Sequence, residues 1–184
     1  MSSINLDKKT MRTMTALVDH TLTWVKPRIF KSDYELRFGD ELIATLCFPK
    51  IFSSAAIAEN GDGCWTFKRV GFFRKKTIIC PRGSNTILGI FKKNTWKEGG
   101  CLELSDDRKF KAIANLWKNT IEFQTDIGET LIHTKTNGFF RFSATVQMNR
   151  KCLQILELPW MVMLGLYLIV MMRRDAAAHH SAHG

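Results

Sequence analysis

The residues with the most chemistry to offer gather in one run, Phe67-Lys68-Arg69-Val70-Gly71-Phe72-Phe73-Arg74-Lys75-Lys76, seconded by Phe91-Lys92-Lys93. Cations interleaved with aromatic rings suit an anionic surface, either a membrane or a nucleic-acid strand. Each Lys or Arg held near an anionic membrane is worth about 1 kcal/mol, so Lys68, Arg69, Arg74, Lys75 and Lys76 together would support reversible recruitment. The same pattern also describes the solvated outer face of ordinary strands. The chain as a whole is basic, with 27 Lys and Arg against 17 Asp and Glu and a formal charge of +10. That balance favours lipid headgroups, nucleic acid or acidic proteins as partners.

Covalent chemistry finds less support. No phosphate loop, dinucleotide fingerprint, His-Glu-x-x-His pair or Gly-x-Ser-x-Gly elbow occurs. Asp19-His20 lacks a serine or cysteine set by a recognisable turn, and His133 stands alone in a strand-like run. Cys47, Cys64, Cys80, Cys101 and Cys152 are odd in number and never form a Cys-x-x-Cys pair. They read as buried small apolar residues in a reducing compartment, with neither zinc nor a disulfide framework. His179, His180 and His183 lie in an Ala-rich stretch that reads as a disordered tail. The expectation is a protein without enzymatic activity, metal or cofactor. The N-terminal residues hold no apolar stretch fit for a signal-peptide core, so the expected location is the cytoplasm.

The elements that must position these groups are mostly strands. At 45% hydrophobic and 11% aromatic residues, 184 residues suffice for one globular domain. Period-two alternation recurs from about Leu22 to Leu156 between Gly, Asp, Asn and Pro clusters. Tyr34, Leu36 and Phe38 share a face, Gly39-Asp40 turns, and Leu42, Ala44, Leu46 and Phe48 return. Phe140, Phe142, Ala144, Val146 and Met148 alternate with polar residues in the same way. Further turns are expected at Asn60 to Gly63, Pro81 to Asn85, Glu98-Gly99-Gly100, Ser105-Asp106-Asp107, Asp126-Ile127-Gly128 and Asn137-Gly138. Trp24, Trp65, Trp96 and Trp117 fall at strand positions and are expected to fill the interior or plug its ends. Ten or more such strands suggest a closed or nearly closed sheet.

The segment from Leu158 to Met172 carries no charge and is apolar on every face, so a helix there must be surrounded by protein or lipid. Pro159 suits the first turn, and Arg173-Arg174 complement the dipole at the other end. About 15 residues span roughly 22 Å, short of the ~30 Å hydrocarbon core of a bilayer. Burial inside the sheet is therefore favoured, with Trp160, Leu164, Leu168 and Met171 at its core. A tail anchor built from Leu153 to Met172 is the alternative. A sheet that closes needs filling, and this helix would fill it.

Tyr34-Glu35-Leu36 with Ile43-Ala44-Thr45-Leu46, Gly63-Cys64-Trp65-Thr66-Phe67-Lys68-Arg69, and Pro159-Trp160 through Asp175 together resemble the tubby C-terminal-like superfamily, which also holds phospholipid scramblases and plant LURP-one-related proteins. The likeness covers roughly residues 22 to 175. It implies a mainly β fold, a closed antiparallel barrel of about 12 strands around a buried C-terminal helix at about 159–174. Residues 1–21 would be an N-terminal extension and 176–184 the tail. The resemblance also implies a phosphoinositide-type headgroup site on the barrel wall, whose nearest counterpart here is Lys68-Arg69 with Arg74-Lys75-Lys76. The acidic calcium-binding stretch of scramblases is replaced by Gln147-Met148-Asn149-Arg150-Lys151-Cys152. The expected partner is thus an anionic membrane surface or an acidic protein, with nucleic acid as a less favoured third.

Overall fold

The computed structural model describes residues 11–27, 32–50, 53–71, 75–94, 99–115, 117–137 and 142–181. Twelve strands follow one another: β1 Leu22–Val25, β2 Asp33–Phe38, β3 Glu41–Cys47, β4 Ala56–Asn60, β5 Gly63–Val70 and β6 Lys76–Pro81. They continue as β7 Gly89–Lys93, β8 Gly99–Leu104, β9 Lys109–Asn115, β10 Thr120–Gln124, β11 Thr130–Asn137 and β12 Ser143–Met148. Each pairs antiparallel with its neighbours in sequence, and β1 pairs with β12 to close the barrel. Closure leaves no unpaired edge, which is what a chain of many short amphipathic strands requires.

The alternation fixes what faces inward. In β9, Phe110, Ala112 and Ala114 are buried while Lys109, Lys111 and Ile113 are exposed. Several inward positions are small, among them Ala44, Ala58, Ala112, Ala114 and Ala144, and they leave the lumen open for a helix. That helix is α1, Leu158–Ser181. Leu158, Met161, Val162, Met163, Leu164, Leu166 and Tyr167 have no exposed surface, and Trp160, Leu168 and Met171 are buried with them. An all-round apolar helix meets its requirement for apolar neighbours on every side within this barrel. No helix among the described residues is long and apolar enough to cross a membrane, and the Leu153 to Met172 tail anchor gives way to the barrel core.

Sequence and structure differ at several places. Gly99 and Gly100 begin β8 instead of making a turn, because a β-carbon at Gly100 would lie 2.6 Å from the Phe91 ring and 2.2 Å from the Lys92 carbonyl. Trp117 sits in the β9–β10 turn with 95% of its surface exposed, so it fills no interior. Trp24 is fully buried and Trp65 partly so; Trp96 and Phe140 lie outside the described residues. The helix runs past the expected end near 174 into the Ala/His stretch, to Ser181. At the other terminus Met14 and Leu17, in a 3-10 turn at Met14–Leu17, are fully buried and pack against α1, so part of the expected extension belongs to the core. Four cysteines are only half-buried; Cys152 alone is buried, and none is in a disulfide. Strand residues with odd or even parity share a face, so those four thiols look outward with the polar set.

Candidate functional site

The structure separates Lys68, Arg69, Lys75 and Lys76, the four described members of the basic run. On β5, Phe67 points into the barrel, so Lys68 points out and is exposed, whereas Arg69 points in. The Arg69 Nη1 donates to both carboxylate oxygens of Asp175 on α1, at 2.8 and 3.0 Å. The ammonium of Lys75 lies 3.6 Å from the same carboxylate. Lys76 opens β6 on the outer face and is exposed. Arg74 lies outside the described residues. Lys68 and Lys76 thus belong to a wall, and Arg69 and Lys75 to a clamp on the helix.

The wall extends farther than the sequence run. Strand register sets Lys76 opposite Lys92, Lys92 opposite Cys101, and Cys101 opposite Lys111. The next row reads Lys68, Ile78, Ile90, Glu103 and Lys109. The outer face of β5 to β9 therefore carries five lysines and a single carboxylate, Glu103. Lys92 donates to Glu103, and Lys109 stands 3.7 Å from it. The hydrogen bond from Lys92 holds the Glu103 carboxyl below its ordinary pKa. Lys109 and Lys111 lie outside both basic runs of the sequence. Their signal was the alternation Lys109-Phe110-Lys111-Ala112, which shows that they face outward but not which lysines stand beside them.

Where α1 leaves the barrel, its cations are tied to the rim. Arg173 donates to Thr136 Oγ1 at 3.1 Å and its guanidinium lies 5.4 Å from the Phe142 ring centre. Arg174 donates to the Ser53 carbonyl at 2.9 Å and lies 4.3 Å over Phe48. Below them the Tyr167 hydroxyl donates to the Ser54 carbonyl at 2.7 Å, and burial pushes its pKa up to about 12. Phe48 stacks on Tyr167 at 5.9 Å and Phe67 meets it edge-on at 5.4 Å. A cleft beside Arg173 is lined by Asn115, Asn119, Thr136, Ile169 and Met172. Its volume of about 40 Å³ exceeds the ~10–15 Å³ that one water needs, so it admits a group of a few heavy atoms and nothing larger.

Two of the histidines have described surroundings. His20 lies against Phe38 at 4.9 Å between ring centres, and His133 Nε2 stands 3.8 Å from Glu122 Oε1. Among the described residues no group of three His, Cys, Asp or Glu is placed to hold a metal ion.

Fold and site together define a class of protein: a closed twelve-stranded antiparallel barrel filled by its own C-terminal helix, with a lysine-rich outer wall. An X-ray structure of a protein from Arabidopsis thaliana is similar to it, with a TM-score of 0.54 and 12% identity, covering 95% of this chain and 99% of that one. At that identity the likeness shows the fold alone. No family model and no curated protein matches the sequence.

Proposed function

We propose that this protein is a non-enzymatic, tubby-like domain of the cytoplasm that binds anionic lipid headgroups through the wall of β5 to β9. The observation that carries the reading is the five-to-one excess of lysines over carboxylates on that one continuous face. At about 1 kcal/mol per cation near an anionic surface, the four lysines left after Glu103 is neutralised supply roughly 4 kcal/mol, suited to reversible attachment. The outward apolar positions between them are Ile78, Ile90 and Ile113, which offer no ring on which a base could stack, so lipid is favoured over single-stranded nucleic acid. Five thiols outside any disulfide fit a reducing compartment.

Co-sedimentation with vesicles tests this. Binding to phosphatidylcholine vesicles containing phosphatidylserine, with little to pure phosphatidylcholine, is the expected result, and Lys68→Glu with Lys76→Glu should weaken it about tenfold or more. Equal binding to both vesicles, no binding to either, or binding unchanged by the double reversal overturns the proposal. An acidic protein as the true partner would produce the second of these outcomes.

A further inference from the structure

The two ends of the barrel differ in kind. Every odd-to-even connection, such as β5 to β6 or β9 to β10, joins strands at the end where α1 leaves; the even-to-odd turns lie at the opposite end. Among the described residues, the segments joining strands at the exit end hold Lys26, Lys50, Lys75 and Lys118 and no acidic residue. The five turns at the opposite end, with the segment leading into α1, hold four Lys or Arg against seven acidic residues and no aromatic at all. The described aromatics of the exit-end segments are Phe48, Trp117 and Phe142. Phe48 and Phe142 lie under Arg174 and Arg173, while Trp117 projects with 95% of its surface exposed, followed by exposed Lys118.

A lone exposed apolar side chain is ordinary. Trp117 is set apart by its surroundings: Lys118 next to it, the cleft with Arg173 at the base of its own turn, and Lys50, Lys75 and Lys93 exposed around the same rim. Tryptophan beside cations is the composition that settles at a membrane–water interface, the ring among the headgroups and the ammonium groups on the phosphates. The opposite end also exposes Ile87, Ile127, Leu153 and Leu156, but its turns and the segment leading into α1 carry seven acidic residues against four basic ones, a balance that an anionic bilayer repels. Charge complementarity therefore selects the exit end.

We infer that the barrel stands end-on upon an anionic bilayer, with Trp117 and Lys118 in its interface. This rests on the anionic-lipid reading above and gives it an orientation. Lys76 begins β6 and Lys92 lies next to the last residue of β7, both at the exit end, so the near half of the wall shares the contact. Lys111 is four residues short of the end of β9, roughly 13 Å up the strand, and Lys109 is farther still. End-on docking holds those two lysines farther from the lipid than Trp117 and Lys118, where they add only longer-range attraction; docking on the side of the wall presses them against it.

The test compares three proteins on phosphatidylcholine vesicles with and without phosphatidylserine: the wild type, Trp117→Ala with Lys118→Glu, and Lys109→Glu with Lys111→Glu. All substituted side chains are exposed, so circular dichroism should show each variant folded. Affinity for anionic vesicles should fall about tenfold or more in the first variant and by a clearly smaller factor in the second. Brominated lipid should quench tryptophan emission of the wild type and clearly less that of Trp117→Phe. The reverse ranking of the variants, or equal quenching of wild type and Trp117→Phe, overturns the end-on orientation while leaving lipid binding intact. No binding of the wild type to anionic vesicles overturns the parent reading itself.

Discussion

Arg69 and Asp175 lie 106 residues apart in sequence, yet the guanidinium of one reaches both carboxylate oxygens of the other, at 2.8 and 3.0 Å. Their side chains are 15% and 27% exposed, so water screens the pair only in part. The bond fastens β5 to α1 at the point where the helix leaves the barrel. Charge-assisted hydrogen bonds of this kind contribute about 1.5–3 kcal/mol. Asp175→Ala should lower unfolding stability by about that much in urea titration, since it leaves Arg69 and Lys75 facing each other unneutralised. A double-mutant cycle with Arg69→Met checks the coupling. Additive losses would mean the two residues do not work as a pair.

At Gly165, α1 packs against β10 and β11. A β-carbon there would sit 3.3 Å from Thr134 Oγ1 and 3.6 Å from the Phe123 ring. Gly165→Ala asks only for a shift of a few tenths of an ångström and should cost no more than about 1 kcal/mol. Gly165→Asp would bury an unpaired carboxylate in the lumen and should abolish the cooperative unfolding transition. Deleting residues 158–175 should do the same, because the lumen loses its filling. A folded barrel recovered after that deletion would show that α1 is an appendage.

Tyr167 makes stability pH-dependent on the alkaline side. Its pKa rises from the ordinary tyrosine value of 10.0 to about 12 because burial penalises the phenolate. The folded state therefore holds the proton more tightly than the unfolded chain. Its contribution is fully present below pH 10 and is lost as pH climbs from 10 towards 12. Tyr167→Phe should flatten that alkaline limb in thermal melts. At neutral pH it should cost about 1 kcal/mol for the lost bond to the Ser54 carbonyl. An alkaline limb identical in both proteins would place the titrating group elsewhere.

Gly99 adopts φ +113, and a β-carbon there would be 2.0 Å from the Ala112 carbonyl oxygen. Gly39 also has a positive φ, +58, but nothing lies within 4 Å of its added carbon. Gly39→Ala should thus cost about 1 kcal/mol from backbone strain alone. Gly99→Ala must displace β9 and should cost several times more. Comparable melting temperatures for the two variants would show that β8 and β9 are not so closely apposed.

Much of this architecture was legible in the sequence because two of its periodicities are local. Alternation in Lys109 to Ala114 and in Ala144 to Met148 specifies strands, since successive side chains point to opposite faces whatever the partner strand. The uncharged stretch from Leu158 to Met172 specifies a helix enclosed on all sides. Even the inward direction of Arg69 was available, for it shares parity with Trp65 and Phe67. The Gly99-Gly100 pair misled because the demand for glycine there comes from Phe91 and Ala112 on neighbouring strands. Trp117 misled because a turn interrupts the alternation at that point.

By itself, then, the sequence determined which residues form strands, which segment fills their lumen, and that the chain carries an excess of cations. Tertiary structure alone decided which cations stand together. Lys76, Lys92 and Lys111 share one row only through the register of β6 to β9, while Arg69, beside Lys68 in the chain, is withdrawn to Asp175. Register and closure depend on side chains distant in sequence meeting across the barrel. A local pattern records the face a residue occupies but carries no record of its neighbours on that face.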